Sequence, residues 1–158
     1  MQKVLNGILT LSILLVTTIV NAQVDNPVQW KISSQKIDDR TFEIRASAII
    51  NYPYHIYSQE VNEDLGLPTK ITLNKNPLVE VVGTPKEIGK PEEAKIEGVA
   101  MKYYPGKVEF VQVVKLKEGI KAKTNISGAI EYMACTSINC LPPATRRFNV
   151  SLDGGGAQ

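Results

Sequence analysis

Short runs of apolar residues in strict alternation, turn formers between those runs and no helical stripe after residue 22 predict an all-β chain. The expected architecture is an immunoglobulin-like antiparallel β-sandwich, in which about 7 to 9 short strands share roughly 100 residues. Phe42, Ile44, Ala46, Ala48 and Ile50 share one parity, with Glu43, Arg45 and Ser47 among the residues between them, as a half-buried strand requires. Val28, Trp30 and Ile32 repeat the pattern upstream, and Ile71 with Leu73 marks another strand. Val108, Phe110, Val114 and Leu116 hold one parity in a longer run that Gln112 interrupts. Ile126, Ile130, Tyr132 and Ala134 follow, and Phe148, Val150 and Leu152 close the series. The turns are expected at Asp38-Asp39, Asn74-Lys75-Asn76-Pro77, Gly83-Thr84-Pro85, Gly89-Lys90-Pro91 and Pro105-Gly106.

The front of the chain has a different character. Met1-Gln2-Lys3 carries one positive charge, Val4 to Val20 holds none, and Val20-Asn21-Ala22 offers small or moderate residues where a signal peptidase reads. Residues 1–22 are therefore expected to be a secretory signal peptide, 23–152 the folded domain and 153–158 a flexible Gly-rich tail. The apolar stretch is near the lower limit for crossing a bilayer, and Asn6, Thr10, Ser12, Thr17 and Thr18 dilute it. No cysteine lies near the cleavage point, which excludes a lipoprotein anchor. The mature chain is expected to be exported and soluble, with no membrane insertion. A formal charge of +2 with acids and bases interspersed gives no reason to expect a nucleic-acid partner. Lys115, Lys117, Lys121 and Lys123 flank a turn at Glu118-Gly119 and read as a solvated hairpin end.

The chemistry-bearing stretch is "YMACTSINCLPPATRRF", which contains both cysteines, Cys135 and Cys140, with four residues between them. In an oxidising compartment the plain reading is a structural disulfide in a non-catalytic binding module. The spacing argues against it, because closing about six residues restrains the unfolded chain by roughly 2 kcal/mol, against nearly 5 for a loop of about 100. Cys135 has the parity opposite to Ile130 and Tyr132, so its sulfur is expected away from the main core, at a strand end. A local, accessible pair is what thiol–disulfide exchange needs, and Pro142-Pro143 stiffens the exit from Cys140. A metal site is the third reading. Two thiolates would need further ligands, for which His55, Met101 and Met133 are the candidates, but no spacing links them and no metal or other cofactor is expected.

With its diproline, "YMACTSINCLPP" resembles the redox motif of the N-terminal periplasmic domain of the thiol:disulfide interchange protein DsbD. "YPYHIYS", Tyr52 to Ser58, is similar to the family's aromatic early strand. "MKYYPGKVEFVQVVKL", Met101 to Leu116, is similar to the segment holding its cap loop and the following strand. The cysteine spacer is one residue shorter than in the best-known members. The resemblance implies a periplasmic redox relay, a thiol:disulfide oxidoreductase component. In it Cys140 would form mixed disulfides with thioredoxin-like partners, Cys135 would resolve them, and Pro142 and Pro143 would support the motif. Tyr104, with Tyr103 beside it, falls where the family places an aromatic cap over the disulfide. The chain holds neither the membrane segment nor the thioredoxin-like domain of the full-length family member. The expectation is either a stand-alone shuttle module that works with separate partners, one of which could be a membrane electron carrier, or a relative that kept the fold for another use.

Overall fold

The computed structural model describes residues 26–62, 66–96, 98–120 and 123–153. The expected leader and all of the tail beyond Asp153 lie outside them, as does Lys121. The described residues form eleven strands and no helix. In chain order these are β1 (Val28–Lys36), β2 (Thr41–Ile50), β3 (His55–Tyr57), β4 (Lys70–Leu73), β5 (Val79–Gly89) and β6 (Glu92–Ile96). They continue with β7 (Val99–Pro105), β8 (Lys107–Leu116), β9 (Asn125–Tyr132), β10 (Ala134–Cys135) and β11 (Ala144–Ser151). Every pairing is antiparallel, and the strands make three sheets ordered β1-β2-β8-β5, β10-β3-β7-β6 and β11-β9-β4. The chain is an all-β, immunoglobulin-like sandwich.

Alternation dictates the core. The inward parity of β2, from Phe42 to Ile50, is buried throughout, and so are Val28 and Ile32 of β1 and Val108, Phe110, Val114 and Leu116 of β8. Ile126, Ile130, Tyr132 and Val150 meet them from β9 and β11, and Ile56, Tyr104 and Ala134 from β3, β7 and β10. Sheet β1-β2-β8-β5 is thus one wall, and the other two sheets together face it. Gln112, the polar interruption in β8, is buried without penalty because its amide nitrogen donates to the carbonyls of Val82 and Val113 at 2.9 and 3.0 Å. Gly128 is fixed by close approach. A Cβ there would run into the Thr72 carbonyl and lie 2.7 Å from the Phe148 ring, since Phe148 and Leu73 flank it across the sheet.

Two expected turns take another form. Gly83-Thr84-Pro85 is no break between strands but a bulge inside β5, where the register with β8 shifts between Val82 and Lys86 and Gly83 adopts φ of 68°. Most of β5 is exposed, so it lacks the apolar alternation that marks its neighbours. Glu118-Gly119 does turn, but β8 and β9 belong to different sheets, so the connection crosses the sandwich and is not a hairpin end. Pro105-Gly106 does join β7 to β8, with Gly106 at φ 77°.

Candidate redox site

The site is built where the β9 strand leaves its sheet. Tyr132 ends β9, Met133 breaks the ladder, and Ala134-Cys135 joins the neighbouring sheet by pairing with Ile56 and His55 of β3. Ala134 keeps the parity of the main core, so Cys135 points to the opposite face. There it is 1% exposed and packs with Tyr57, Val61 and Met101, with Tyr103 and Met133 partly buried against them. Cys135 and Cys140 are joined by a disulfide, with Cα atoms 4.0 Å apart.

The pair sits directly opposite itself across a miniature antiparallel ladder. Thr136 N–H donates to the Asn139 carbonyl at 2.8 Å and Leu141 N–H to the Ala134 carbonyl at 2.9 Å. These bonds bracket a non-hydrogen-bonded pair, the position where side chains of facing residues come closest. Four residues close the loop, and the Thr136 hydroxyl organises it. Its oxygen accepts from the N–H groups of Ile138 and Asn139 at 3.2 and 3.1 Å and donates to Asn139 Oδ1 at 2.9 Å. Cys140, by contrast with Cys135, is exposed, and Ile138 beside it is 93% exposed at the loop tip. One half of the bridge is therefore buried and the other exposed.

On the same face as Cys135, His55 stands directly across the β3–β10 pairing. Its ring lies 4.5 Å from that of Tyr103 and 5.4 Å from that of Tyr57, centroid to centroid. Burial holds the imidazole below its ordinary pKa, against the opposing pull of the Glu92 charge. The Tyr103 hydroxyl donates to Glu92 Oε2 at 3.0 Å, and that bond, with some burial, raises the phenol's pKa. His55, Tyr57, Met101 and Tyr103 line a groove of about 790 Å³ that runs to Thr136 and Ser137 of the disulfide loop, with Tyr52 fully exposed at its rim. A second groove, of about 830 Å³, lies along Trp30, Tyr132, Leu141, Pro142 and Pro143, so the diproline forms one of its walls.

Tyr104, expected as part of the cap, is on the face opposite to Cys135. It faces the main core at 2% exposure, packs edge-on to Phe110 and donates its hydroxyl to Glu87. The reason is parity: Tyr104 pairs with Ile56, a core residue, whereas Tyr103 pairs with Tyr57 on the cysteine face. Tyr103 alone of the two is on the face of Cys135. Met101 and Met133, unlinked by spacing, are both drawn into the Cys135 cluster, where flexible thioethers fill the space around the bridge. Sequence reasoning missed Tyr57, Val61 and Thr136. The parity of His55 and Tyr57 against Ile56 was the available signal for the first.

The sequence matches no family model, and no curated protein matches it. Solved structures do match the fold. The N-terminal periplasmic domain of ScsB from Proteus mirabilis superposes with a TM-score of 0.60 at 16% identity, over 84% of this chain and 49% of that one. The chain thus spans about half the length of that ScsB chain. A chain from the complex between the DsbD N-terminal and PilB N-terminal domains of Neisseria meningitidis gives 0.50 at 16% identity, over 82% of this chain and 86% of that one. This chain has the fold of the N-terminal periplasmic domains of ScsB and DsbD. The DsbD-type fold was expected from the sequence, whereas of the pair expected to be accessible only Cys140 is exposed and Cys135 is buried. No helix among the described residues is long and apolar enough to cross a membrane.

Proposed function

We propose that the protein is a thiol–disulfide exchange module that relays electrons through the Cys135–Cys140 pair. One observation carries this reading: the bridge is lopsided, with Cys135 1% exposed in a packed cluster and Cys140 open to solvent at a loop end. Exchange requires in-line approach of a thiolate to one sulfur while the other leaves. Cys140 is the exposed residue of the two, so in this reading Cys140 takes the mixed disulfide and Cys135 resolves it. A staple has no use for such asymmetry, and a bridge over four residues restrains little of the unfolded chain. Exposed Ile138 two residues before Cys140 and Pro142-Pro143 just after it flank the exposed cysteine with surface that a protein partner would cover.

The partners in this reading are thioredoxin-like proteins, with a separate membrane carrier as the electron source. That a DsbD N-terminal domain is described in complex with a PilB N-terminal domain supports a protein partner for this fold. Residues 1–22 act as the export signal, 23–152 as the redox domain and 153–158 as a tail, and the mature chain works in the periplasm.

The test is trapping. Cys135→Ser should accumulate a covalent complex with a thioredoxin-fold protein whose own second cysteine has been removed, since no resolver remains, while Cys140→Ser should accumulate far less. Non-reducing gels with mass identification of the band read the result. Equal trapping by both variants would overturn the assignment of distinct roles. No trapping by either would return the pair to the staple of a binding module.

A further inference from the structure

We propose that His55 is the proton acceptor that activates Cys135 when it resolves the mixed disulfide. The inference rests on the exchange reading above and adds a residue to it. Cys135 must act as a thiolate, yet it is packed among Tyr57, Val61 and Met101, where a thiolate loses its hydration. Apolar burial holds a thiol protonated near neutral pH, so the attack needs a base within reach. Directly opposed residues on paired antiparallel strands place their Cβ atoms about 4.5 to 5.5 Å apart on one face. His55 holds that position relative to Cys135.

The other groups around the ring are poorly suited. Tyr57 and Tyr103, its neighbours on β3 and β7, are phenols with pKa raised by burial and by the Glu92 hydrogen bond respectively, so they are donors at neutral pH. Glu92 on β6 is engaged by the Tyr103 hydroxyl, and Thr136 and Ser137 on the disulfide loop carry no charge. Tyr52 and Tyr54 line the same groove from the segment before β3. The imidazole, kept neutral by its surroundings, is the acceptor, and the groove it lines gives the proton an outlet to water.

The step balances as follows. Cys140 thiolate first attacks a disulfide on the partner, forming a Cys140–partner bond and releasing the partner's second sulfur as a thiolate that takes a proton from water. The Cys135 thiol then gives its proton to His55, its sulfur attacks Cys140, the Cys135–Cys140 bond forms and the partner's first sulfur leaves with the electron pair. The imidazolium returns its proton to that sulfur or to water. Two electrons and two protons have moved to the partner.

An aromatic disulfide that releases a coloured thiolate, dithiobis-nitrobenzoate, separates the two events. The reduced protein releases one equivalent when Cys140 reacts and a second when Cys135 resolves. In His55→Gln the first phase should be unchanged, which reports an intact Cys140, and the second should slow about 100-fold. The pH profile should also change. The wild-type second phase should rise with pH and level off below about 6.5, once the imidazole is neutral, whereas the variant should keep rising towards the thiol's own ionisation. His55→Phe, which retains a ring against Tyr57 and Tyr103, should be as slow as the Gln variant. A wild-type second phase in His55→Gln, or full recovery in His55→Phe, would overturn the role. Absence of any first phase in the wild type would remove the exchange reading and this inference with it.

Discussion

The Tyr104 hydroxyl donates to Glu87 Oε2 at 2.6 Å, and that bond ties β7 to β5 across two sheets. Glu87 also accepts from the backbone N–H of Gln59 at 2.6 Å and from the Ser58 hydroxyl at 2.9 Å, with Lys102 Nζ 3.6 Å away. A carboxylate whose side chain is only 8% exposed is thereby held between β5 and β7. Burial alone would raise its pKa. The bonds from Gln59, Tyr104 and Ser58 and the Lys102 charge outweigh burial, so the carboxyl lies below its ordinary value of 4.5.

From this follows an acid sensitivity of known sign. Because the folded-state pKa is the lower one, the unfolded chain binds more protons through the window between the two values. The stabilisation is fully present above the ordinary value and is lost as pH falls through the folded one. Urea unfolding followed at a series of pH values should show stability decreasing below about pH 4.5. In Glu87→Gln that decrease should be shallower, on a baseline lowered by about 1–3 kcal/mol at neutral pH from the missing charged acceptor. An unchanged slope would mean that another carboxylate governs the acid limb.

The two adjacent tyrosines should separate cleanly. Tyr104→Ala removes a core ring and is expected to cost about 3–5 kcal/mol, with the rate of disulfide reduction by small thiols nearly unchanged in the folded fraction. Tyr103→Ala removes a partly buried ring on the Cys135 face, so it should cost much less and speed reduction, because the groove beside the bridge opens. Reduction by dithiothreitol followed by alkylation and mass, alongside urea midpoints, reads both. Faster reduction in Tyr104→Ala at unchanged stability would restore it as a cap against the packing seen.

Gly128 offers a check on the fold itself. A methyl at this position meets the Thr72 carbonyl and the Phe148 ring on opposite neighbours, and backbone cannot swing aside as a side-chain tip can. Gly128→Ala is expected to destabilise by about 3 kcal/mol, the upper part of the overpacking range. Phe148→Ala in the same chain should recover part of that loss, giving a coupling in a double-mutant cycle of about 1 kcal/mol. Strict additivity would indicate that the two strands are not registered as Phe148 opposite Gly128.

Strands that bury one face announced themselves in the sequence, because period-two burial leaves a direct trace: β2, β8 and β9 are where their parities put them. β5 left none, since its outer face and edge are solvated and a bulge at Gly83 breaks its register. The cysteine pair was legible from spacing and from its diproline, and Cys135's departure from the main core from parity alone. What parity alone could not supply was the pairing partner. Nothing local to "YPYHIYS" says that His55 faces Cys135, because that juxtaposition depends on β10 leaving one sheet for another at Met133. The sequence left Tyr103 and Tyr104 together for a related reason. In a strand, neighbours in sequence are on opposite faces, so choosing between Tyr103 and Tyr104 requires the register with β3.

The last prediction concerns the poise of the bridge. Structural disulfides in exported proteins typically have potentials below about −300 mV, and labile ones lie higher. Two features leave the bridge labile. It closes only four residues, so it adds little to the stability of the fold and, by linkage, folding adds little to the bridge. Its exposed Cys140 half lets an incoming thiolate attack quickly. Opposing them, a reduced Cys135 remains packed in its cluster and stays near its partner, which favours reclosure. Rapid, reversible exchange is the expected outcome, with a midpoint above about −300 mV. Equilibrating the folded protein in graded dithiothreitol buffers, quenching with an alkylating reagent and counting free thiols by mass gives the midpoint directly. A pair that stays oxidised far below that value, in a protein that is still folded, would identify a staple and end the relay reading.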